Sequence, residues 1–311
     1  MNTPILLITF NRPKYVKIML EALKKANVKS LFVFRDGPRP SCKTDYDNCE
    51  LVKSLIDGID WGCDVKTNFM QNNLGCGYGP YSAISWAFQF TDKLIILEDD
   101  CIPTISFFDF CDNMLSRYYN NSTIRIISGR SQFTTHPIFK EQDYVFTQYA
   151  PTWGWATWKR VWDGFDLQDR VIGDFFKKGG FTNQFANKRE NRYWNYRYKF
   201  RNNPIKDSLH IWDYQFGAFS RVNGAFGIVP KSNLIKYIGV EGTHPVDVES
   251  VFAELETADV FSFEKEPKEI MLNTEYEGDY FDRFHGLTLK FVLGGYYSKI
   301  KGLFRSNKRF V

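Results

Sequence analysis

The sequence predicts an α/β protein built around a mainly parallel, doubly wound sheet with helices on both faces. Between residues 5 and 127, short apolar runs alternate with segments of amphipathic helical period. This alternation is typical of βαβ units, in which a helix connects neighbouring parallel strands. Several apolar runs end directly in charged or amide side chains, and strands of such sheets carry ligand sites at their carboxyl ends.

Five strands and four helices are predicted in this part of the chain. The strands are residues 5–10, 31–34, 65–70, 94–97 and 124–127. The helices are residues 15–26, 50–59, 81–90 and 107–119. Farther along the chain, residues 183–203 and a segment that begins near Ile211 are predicted to be helical, and residues 225–229 are predicted to form a strand.

The composition is that of a soluble globular protein with many aromatic rings. Hydrophobic residues make up 43% of the 311-residue chain and charged residues 24%, which is an ordinary balance. The formal net charge of +4 is too small to indicate a nucleic-acid partner. Aromatic residues reach 17%, either because rings line a carbohydrate site or because the core is rich in Phe.

The two ends of the sequence and its cysteines favour a cytoplasmic protein. Residues 1–8 lack the features of a signal peptide, and no run of about eighteen apolar residues predicts a membrane span. The six cysteines include no CxxC pair, so we expect free thiols. Residues 286–311 mix basic and apolar side chains. They form either an amphipathic tail on the anionic inner face of the membrane or a solvated tail packed on the domain.

Three consecutive carboxylates, Glu98, Asp99 and Asp100, follow the predicted strand at residues 94–97. Adjacent carboxylates repel one another, so their clustering at a strand end indicates a positive partner. A hard divalent cation, Mn²⁺ or Mg²⁺, suits this position, and it takes its other ligands from phosphate oxygens and water. The sequence therefore favours a metal site here over an acidic turn that is solvated by water.

Arg12 and Asp36 follow the first two predicted strands. Arg12 suits a phosphate contact, and Asp36 suits the N–H edge of uracil. Each also has a simpler interpretation, since Arg12 precedes a proline at a helix entry and Asp36 begins an ordinary Asp-Gly-Pro turn. The glycine-rich residues 75–80 fit neither GxGxxG nor GxxxxGK[ST], and we interpret them as a tight entry into the next helix.

The second half of the chain contributes aromatic and ionisable candidates. Trp153 and Trp155 belong to a run with three tryptophans in six residues, which either stacks on a sugar or is buried. Asp213 follows Trp212 and could act as a general base if the chain transfers a group to a hydroxyl, but on the residues alone it is one acid among many. His244 either completes the metal shell, binds a phosphate, or is structural.

Taken in chain order, these blocks resemble the GT-A glycosyltransferases. More narrowly, they are similar to the Golgi N-acetylglucosaminyltransferase that begins complex N-glycan branching and to its bacterial relatives. The segments that carry the resemblance are residues 5–12, 34–37, 98–108, 153–155 and 212–213. The most specific of them is the Glu-Asp-Asp block with the proline and the pair of phenylalanines that follow it.

The resemblance implies a metal-dependent, inverting transferase with the GT-A fold. Its donor would be a UDP-sugar, such as one that carries GlcNAc. The acceptor would be a saccharide or lipid-linked saccharide in surface polysaccharide synthesis. The resemblance implies that Glu98 contacts the donor sugar, Asp99 the ribose and Asp100 the metal. It places nucleotide contacts on Arg12 and Asp36.

In the second half, the resemblance places acceptor contacts on Trp153 and Trp155. It also makes Trp212 a neighbour of the donor and Asp213 the base. Residues 1–135 are accordingly expected to form the nucleotide-sugar-binding half of the domain. Residues 136–285 would form its acceptor-binding and catalytic half, as an acceptor-side extension, and residues 286–311 the basic tail.

Two other functions stay open. A sugar-nucleotide pyrophosphorylase shares the fold and the metal, but it needs a glycine-rich loop with a basic residue after the first strand, and residues 9–13 are not such a loop. A non-catalytic carbohydrate-binding protein on a transferase scaffold would have lost acids of the Glu-Asp-Asp block or Asp213, and these residues are present.

Overall fold

A computed structural model describes residues 3–168, 170–182, 184–185, 188–198, 212–239 and 255–285. The strands of this part are β1 (Ile5–Thr9), β2 (Ser30–Arg35), β3 (Asp64–Phe69), β4 (Lys93–Glu98), β5 (Cys101–Pro103), β6 (Ile124–Ser128), β7 (Tyr144–Thr147), β8 (Trp155–Trp158), β9 (Phe226–Pro230) and β10 (Ile235–Tyr237). The helices are α1 (Pro13–Lys25), α2 (Lys43–Asp57), α3 (Gly75–Ala87), α4 (Ile105–Arg117), α5 (Lys159–Trp162), α6 (Arg170–Lys177), α7 (Lys188–Tyr196), α8 (Trp212–Val222) and α9 (Thr274–Phe284). A short 3-10 helix spans Pro137–Lys140.

The central sheet has eight strands in the order β3-β2-β1-β4-β8-β6-β9-β7. The first four strands of this order are mutually parallel, as are β6 and β9, whereas β8 and β7 run antiparallel to their neighbours. Helices flank the sheet, and α1 buries the apolar face that its sequence pattern predicts. The predicted fold class, a mainly parallel α/β sheet, is confirmed.

The tryptophan-rich run contains a strand that the sequence pattern does not reveal. Gly154 adopts a left-handed conformation with φ of 67°, and β8 follows it directly. All four residues of β8 are buried, and the strand lies between β4 and β6. A strand that is buried on both faces lacks the alternation by which strands are recognised, and its neighbours are distant in sequence.

Helix α3 begins at Gly75, six residues before the start predicted from the pattern. Three glycines and Pro80 have low helix propensity, so the sequence alone favours a later start. The side chain of Asp36 compensates, because it accepts hydrogen bonds from the backbone N–H groups of Leu74 and Gly75 at 2.8 and 3.0 Å. The first turn of α3 is thus stabilised by a residue from another part of the chain.

The second half of the chain completes the same sheet, since β7, β8 and β9 all belong to it. A separate antiparallel pair, β5 and β10, aligns Cys101 with Tyr237 directly after the three carboxylates. His244 and the tail at residues 286–311 lie outside the described residues, so their predicted roles stay predictions. Within the described part of the chain, no helix has the length and apolar character needed to cross a membrane.

Candidate functional site

The carboxyl ends of β1, β2 and β4 open onto one cavity of about 270 Å³. Its charged lining residues are Arg12, Asp36, Arg39, Glu98 and Asp99. Because β2, β1 and β4 are adjacent and parallel, their carboxyl ends lie at the same edge of the sheet. The first turns of α3 form the opposite wall through Gly75, Cys76, Gly79 and Pro80.

Arg12 binds the acids at the end of β4. Its guanidinium forms an ion pair with Asp99, and its Nη1 donates to Asp100 Oδ2 at 2.8 Å. Asp99 and Asp100 are almost fully buried, with 1% and 8% of their surfaces exposed. The positive partner that the acidic cluster requires is therefore, in part, the arginine that sequence analysis assigned to a phosphate.

The acids outnumber this arginine. Burial raises the pKa of Glu98, and repulsion from Asp100 and Asp213 adds to the effect. Burial also raises the pKa of Cys76 in the cavity wall, and Asp213 and Glu98 add to that shift. Asp213, the second residue of α8, therefore lies close enough to interact with the acidic cluster, although it is far from it in sequence.

Asp36 lies at the cavity with its carboxylate engaged by the protein. Its Oδ1 accepts from the backbone N–H groups of Gly37 and Leu74, each at 2.8 Å. Its Oδ2 accepts from Gly75 N and Asn73 Nδ2, each at 3.0 Å. A carboxylate has about four acceptor positions, so a uracil N–H would have to displace one of these donors.

Arg39 also lines the cavity, although sequence analysis gave it no role. Its Nε and Nη2 donate to the two oxygens of Asp45 at 2.6 and 2.9 Å. Asp45 is 1% exposed, and hydrogen bonding from Arg39 lowers its pKa. The signal in the sequence was a cation just beyond the end of β2, where ligand contacts of such sheets concentrate.

An aromatic pair lies beside Asp100. The ring of Trp153 stacks on Tyr237, with centroids 5.1 Å apart and planes inclined by 17°. After burial, Asp100 is the largest influence that raises the pKa of the Tyr237 hydroxyl. The sequence pattern gave no sign of Tyr237, which reaches this position through the pairing of β10 with β5.

Trp155 and Trp212 lie in the interior. They are 1% and 4% exposed, and their rings stack with centroids 5.6 Å apart. Both rings also contact Phe216 of α8. Their packing joins β8 to α8 and so fixes the position of Asp213. This placement agrees with the burial alternative for Trp155, while direct ligand contact by either ring stays a prediction.

Among the described residues, no group of three or more His, Cys, Asp or Glu side chains is arranged as a preformed metal site. Arg12 nevertheless pairs with Asp99 and Asp100, and these two carboxylates and Asp213 all lie close enough to Glu98 to raise its pKa. Mg²⁺ and Mn²⁺ commonly bind through one or two carboxylates together with substrate phosphates. The donor set therefore fits a hard divalent cation that arrives with a phosphate group.

The sequence matches no protein-family model and no curated protein. Solved structures do resemble parts of it. A UDP-glucose pyrophosphorylase in complex with UDP-glucose has 9% identity over 54% of this chain and 82% of its own, with a TM-score of 0.28. A 4-diphosphocytidyl-2C-methyl-D-erythritol synthase from Anaerococcus prevotii has 8% identity over 58% and 77%, with a TM-score of 0.34.

An inositol-1-phosphate CTP transferase from T. maritima has 12% identity over 52% of this chain and 74% of its own, with a TM-score of 0.29. The first of the three is a pyrophosphorylase, the class of the alternative function considered above. At these identities and TM-scores, the likeness does not assign an activity to this chain.

Proposed function

We propose that the chain is a divalent-metal-dependent glycosyltransferase with a nucleotide-sugar donor. The observation that supports this most is the meeting of Arg12, Asp36, Glu98 and Asp99 around one cavity at the sheet edge. Such an edge is where open α/β sheets bind nucleotides. A UDP-sugar, with GlcNAc as a candidate sugar, follows from the resemblance noted from the sequence. The acceptor proposed is a saccharide or lipid-linked saccharide.

In this proposal Asp100 holds the metal, with Glu98 and Asp99 facing the sugar and ribose of the donor. When bound, Mn²⁺ or Mg²⁺ supplies charge stabilisation to the departing diphosphate. The excess of carboxylates over Arg12 supports a cation at this position, because without one the repulsion among them is relieved only in part. His244 is a further proposed ligand of the metal.

Asp213 is the proposed general base. It would accept the proton of the acceptor hydroxyl while that oxygen bonds to the anomeric carbon of the donor. The bond from this carbon to the diphosphate oxygen breaks in the same step, and its electron pair leaves with the nucleoside diphosphate. Attack opposite the leaving group inverts the configuration. The electrostatic proximity of Asp213 to Glu98 supports this role.

One feature favours this function over the pyrophosphorylase alternative. A pyrophosphorylase needs a glycine-rich loop with a basic residue after the first strand. Here β1 ends at Thr9 and α1 begins at Pro13, so only residues 10–12 connect them, and none is glycine. The connection is too short for a loop that wraps a triphosphate.

The test is a product analysis. The protein is incubated with a panel of UDP-sugars and saccharide acceptors, with and without Mn²⁺, and the nucleotide products are separated. A glycosyltransferase releases UDP in a metal-dependent way, and Asp100→Asn should abolish the release. Asp60→Asn is the matched control, because this exposed aspartate pairs with Lys24 outside the cavity.

Two results would contradict the proposal. Formation of UTP from UDP-sugar and pyrophosphate, without UDP release, would identify a pyrophosphorylase. Binding of saccharide without any turnover of the donor panel would identify a carbohydrate-binding protein.

A further inference from the structure

Arg39 lines the cavity four residues beyond the end of β2, whereas Glu98 and Asp99 line it at the end of β4. It follows β2, and β1 separates β2 from β4 in the sheet. Neighbouring strands are about 4.8 Å apart, so the carboxyl ends of β2 and β4 are about 10 Å apart. If the metal and diphosphate lie at Asp99 and Asp100, the part of the donor that reaches Arg39 is the nucleoside.

The guanidinium of Arg39 is held in a fixed orientation. The buried carboxylate of Asp45 accepts hydrogen bonds from Nε, from Nη2 and from the backbone N–H of Arg39, the last at 3.1 Å. Asn11 Nδ2 donates to the same carboxylate at 2.7 Å. The Arg39 guanidinium also lies over the ring of Phe10, 5.6 Å from its centroid. Two of its three nitrogens are thereby committed to Asp45.

The Nη1 group remains available. Its two N–H bonds have no acceptor among the residues that the structure describes. The side chain is 45% exposed, although its anchor Asp45 is buried. An oriented, partly exposed donor on the wall of a cavity suits a carbonyl acceptor of a ligand.

Arg12, Asp36 and Asp99, which also line the cavity, already have partners in the protein. Arg12 donates to Asp99 and Asp100, and the carboxylate of Asp36 accepts four hydrogen bonds from the protein. At the β2 end, Arg39 is thus the charged side chain with donors left for a ligand, within the described part of the chain.

We propose that Arg39 contacts the nucleobase of the donor by donating from Nη1 to a carbonyl oxygen of the base, and that Asp45 is its positioning residue. This inference rests on the proposed function, because it requires a nucleotide in the cavity. Uracil has carbonyl oxygens, whereas adenine has none. A site built around a hydrogen bond rejects analogues that lack the partner group. Arg39 therefore favours a base with a carbonyl oxygen at this position over adenine.

The experiment measures binding of UDP, uridine, ADP and inorganic pyrophosphate by calorimetry in the presence of Mn²⁺. The parent protein should prefer UDP to ADP. Arg39→Met should lower the affinities for UDP and for uridine by the same factor, about tenfold or more. The affinity for pyrophosphate should stay unchanged. The preference of this variant for UDP over ADP should be smaller than that of the parent protein. Arg39→Lys should lose part of the affinity for UDP, because lysine keeps the positive charge but lacks the planar set of N–H donors of the guanidinium.

Two further variants complete the design. Lys24→Met removes the same charge from an exposed ion pair outside the cavity and should leave all four affinities unchanged. Asp45→Asn should reduce the preference for UDP over ADP while Arg39 is still present. Arg39→Lys keeps a cation beside the buried Asp45, so it decides the outcome even if Arg39→Met or Asp45→Asn does not fold.

Three results would overturn the inference, and they differ. If Arg39→Met lowered the affinities for pyrophosphate and for UDP equally, Arg39 would contact the phosphates and not the base. Unchanged UDP binding and unchanged preference would remove Arg39 from the site. Failure of the parent protein to bind any nucleotide would reject the proposed function itself, and the inference with it.

Discussion

Replacing Asp36 by Asn tests whether this carboxylate organises the cavity wall. Its two oxygens accept four hydrogen bonds, from Gly37 N, Leu74 N, Gly75 N and Asn73 Nδ2, at 2.8–3.0 Å. An amide keeps one oxygen and turns an NH₂ group toward the donors that faced the other. Whichever way the amide turns, two donors lose their acceptor and meet another donor.

The magnitude follows from these two donors. A buried donor without an acceptor costs about 1–3 kcal/mol. Both pairs of donors include groups that are partly buried, so we expect Asp36→Asn to lower the free energy of unfolding by about 2–4 kcal/mol. The start of α3 should also loosen, because Leu74 caps this helix and Gly75 is its first residue.

Urea unfolding followed by tryptophan fluorescence measures the first effect, and hydrogen exchange at Leu74 and Gly75 measures the second. Asp64→Asn is the control, since Asp64 is an exposed acid paired with Lys66. The control should change stability by less than about 0.5 kcal/mol. If Asp36→Asn were equally mild and instead abolished the preference for uridine, Asp36 would be a reader of the base and not the anchor of this loop.

Three other substitutions give distinct outcomes. Burial raises the pKa of Glu277 to about 8, so the folded state retains a proton that the unfolded chain loses near its ordinary pKa, and stability falls as pH rises between these values. In Glu277→Gln, the loss of unfolding free energy between pH 5 and 8 should shrink by about 3 kcal/mol, and an unchanged loss would refute the burial of this carboxyl. Asp213→Asn should lower transfer by about 10²–10⁴ in the UDP-release assay while UDP binding survives; near-parental transfer would reject the base assignment. Gly239→Ala should weaken Mn²⁺-dependent UDP binding at least about tenfold, because the new Cβ would meet the Tyr237 hydroxyl and lie 2.7 Å from Asp100 Oδ2, so these side chains must move. Unchanged titration curves would count against a metal at Asp100.

Sequence analysis predicted the strands and helices that a local pattern of apolar and polar residues specifies. Strands β1, β2, β3 and β4 alternate with amphipathic helices, and parallel pairing through crossovers follows from that alternation. The strands β5, β7, β8 and β10 have three or four residues each and pair antiparallel. Their partners are set by tertiary packing, which no short window of sequence displays.

The same division applies to the candidate site. The sequence could predict that Arg12, Asp36 and the carboxylates at the end of β4 lie close together, because the carboxyl ends of adjacent parallel strands share an edge of the sheet. Their partners could not be predicted. Asp36 and Leu74 are 38 residues apart, and Arg12 reaches Asp99 across 87 residues. The ion-pair partner of each arginine depends on loop conformations, which the pattern of residue types along the sequence does not specify.

The position of β8 has a consequence for synthesis of the protein on the ribosome. Strands β4 and β6 emerge first, but each keeps an unpaired edge until Trp155–Trp158 arrives between them. An unpaired edge is a template for strands of other chains. A nascent chain that ends at residue 135 therefore carries three such edges, one on β4 and both on β6, because β9 also comes later. We expect this nascent chain to require a chaperone or to aggregate. The central sheet is thus complete only after strands from both parts of the chain have been synthesised.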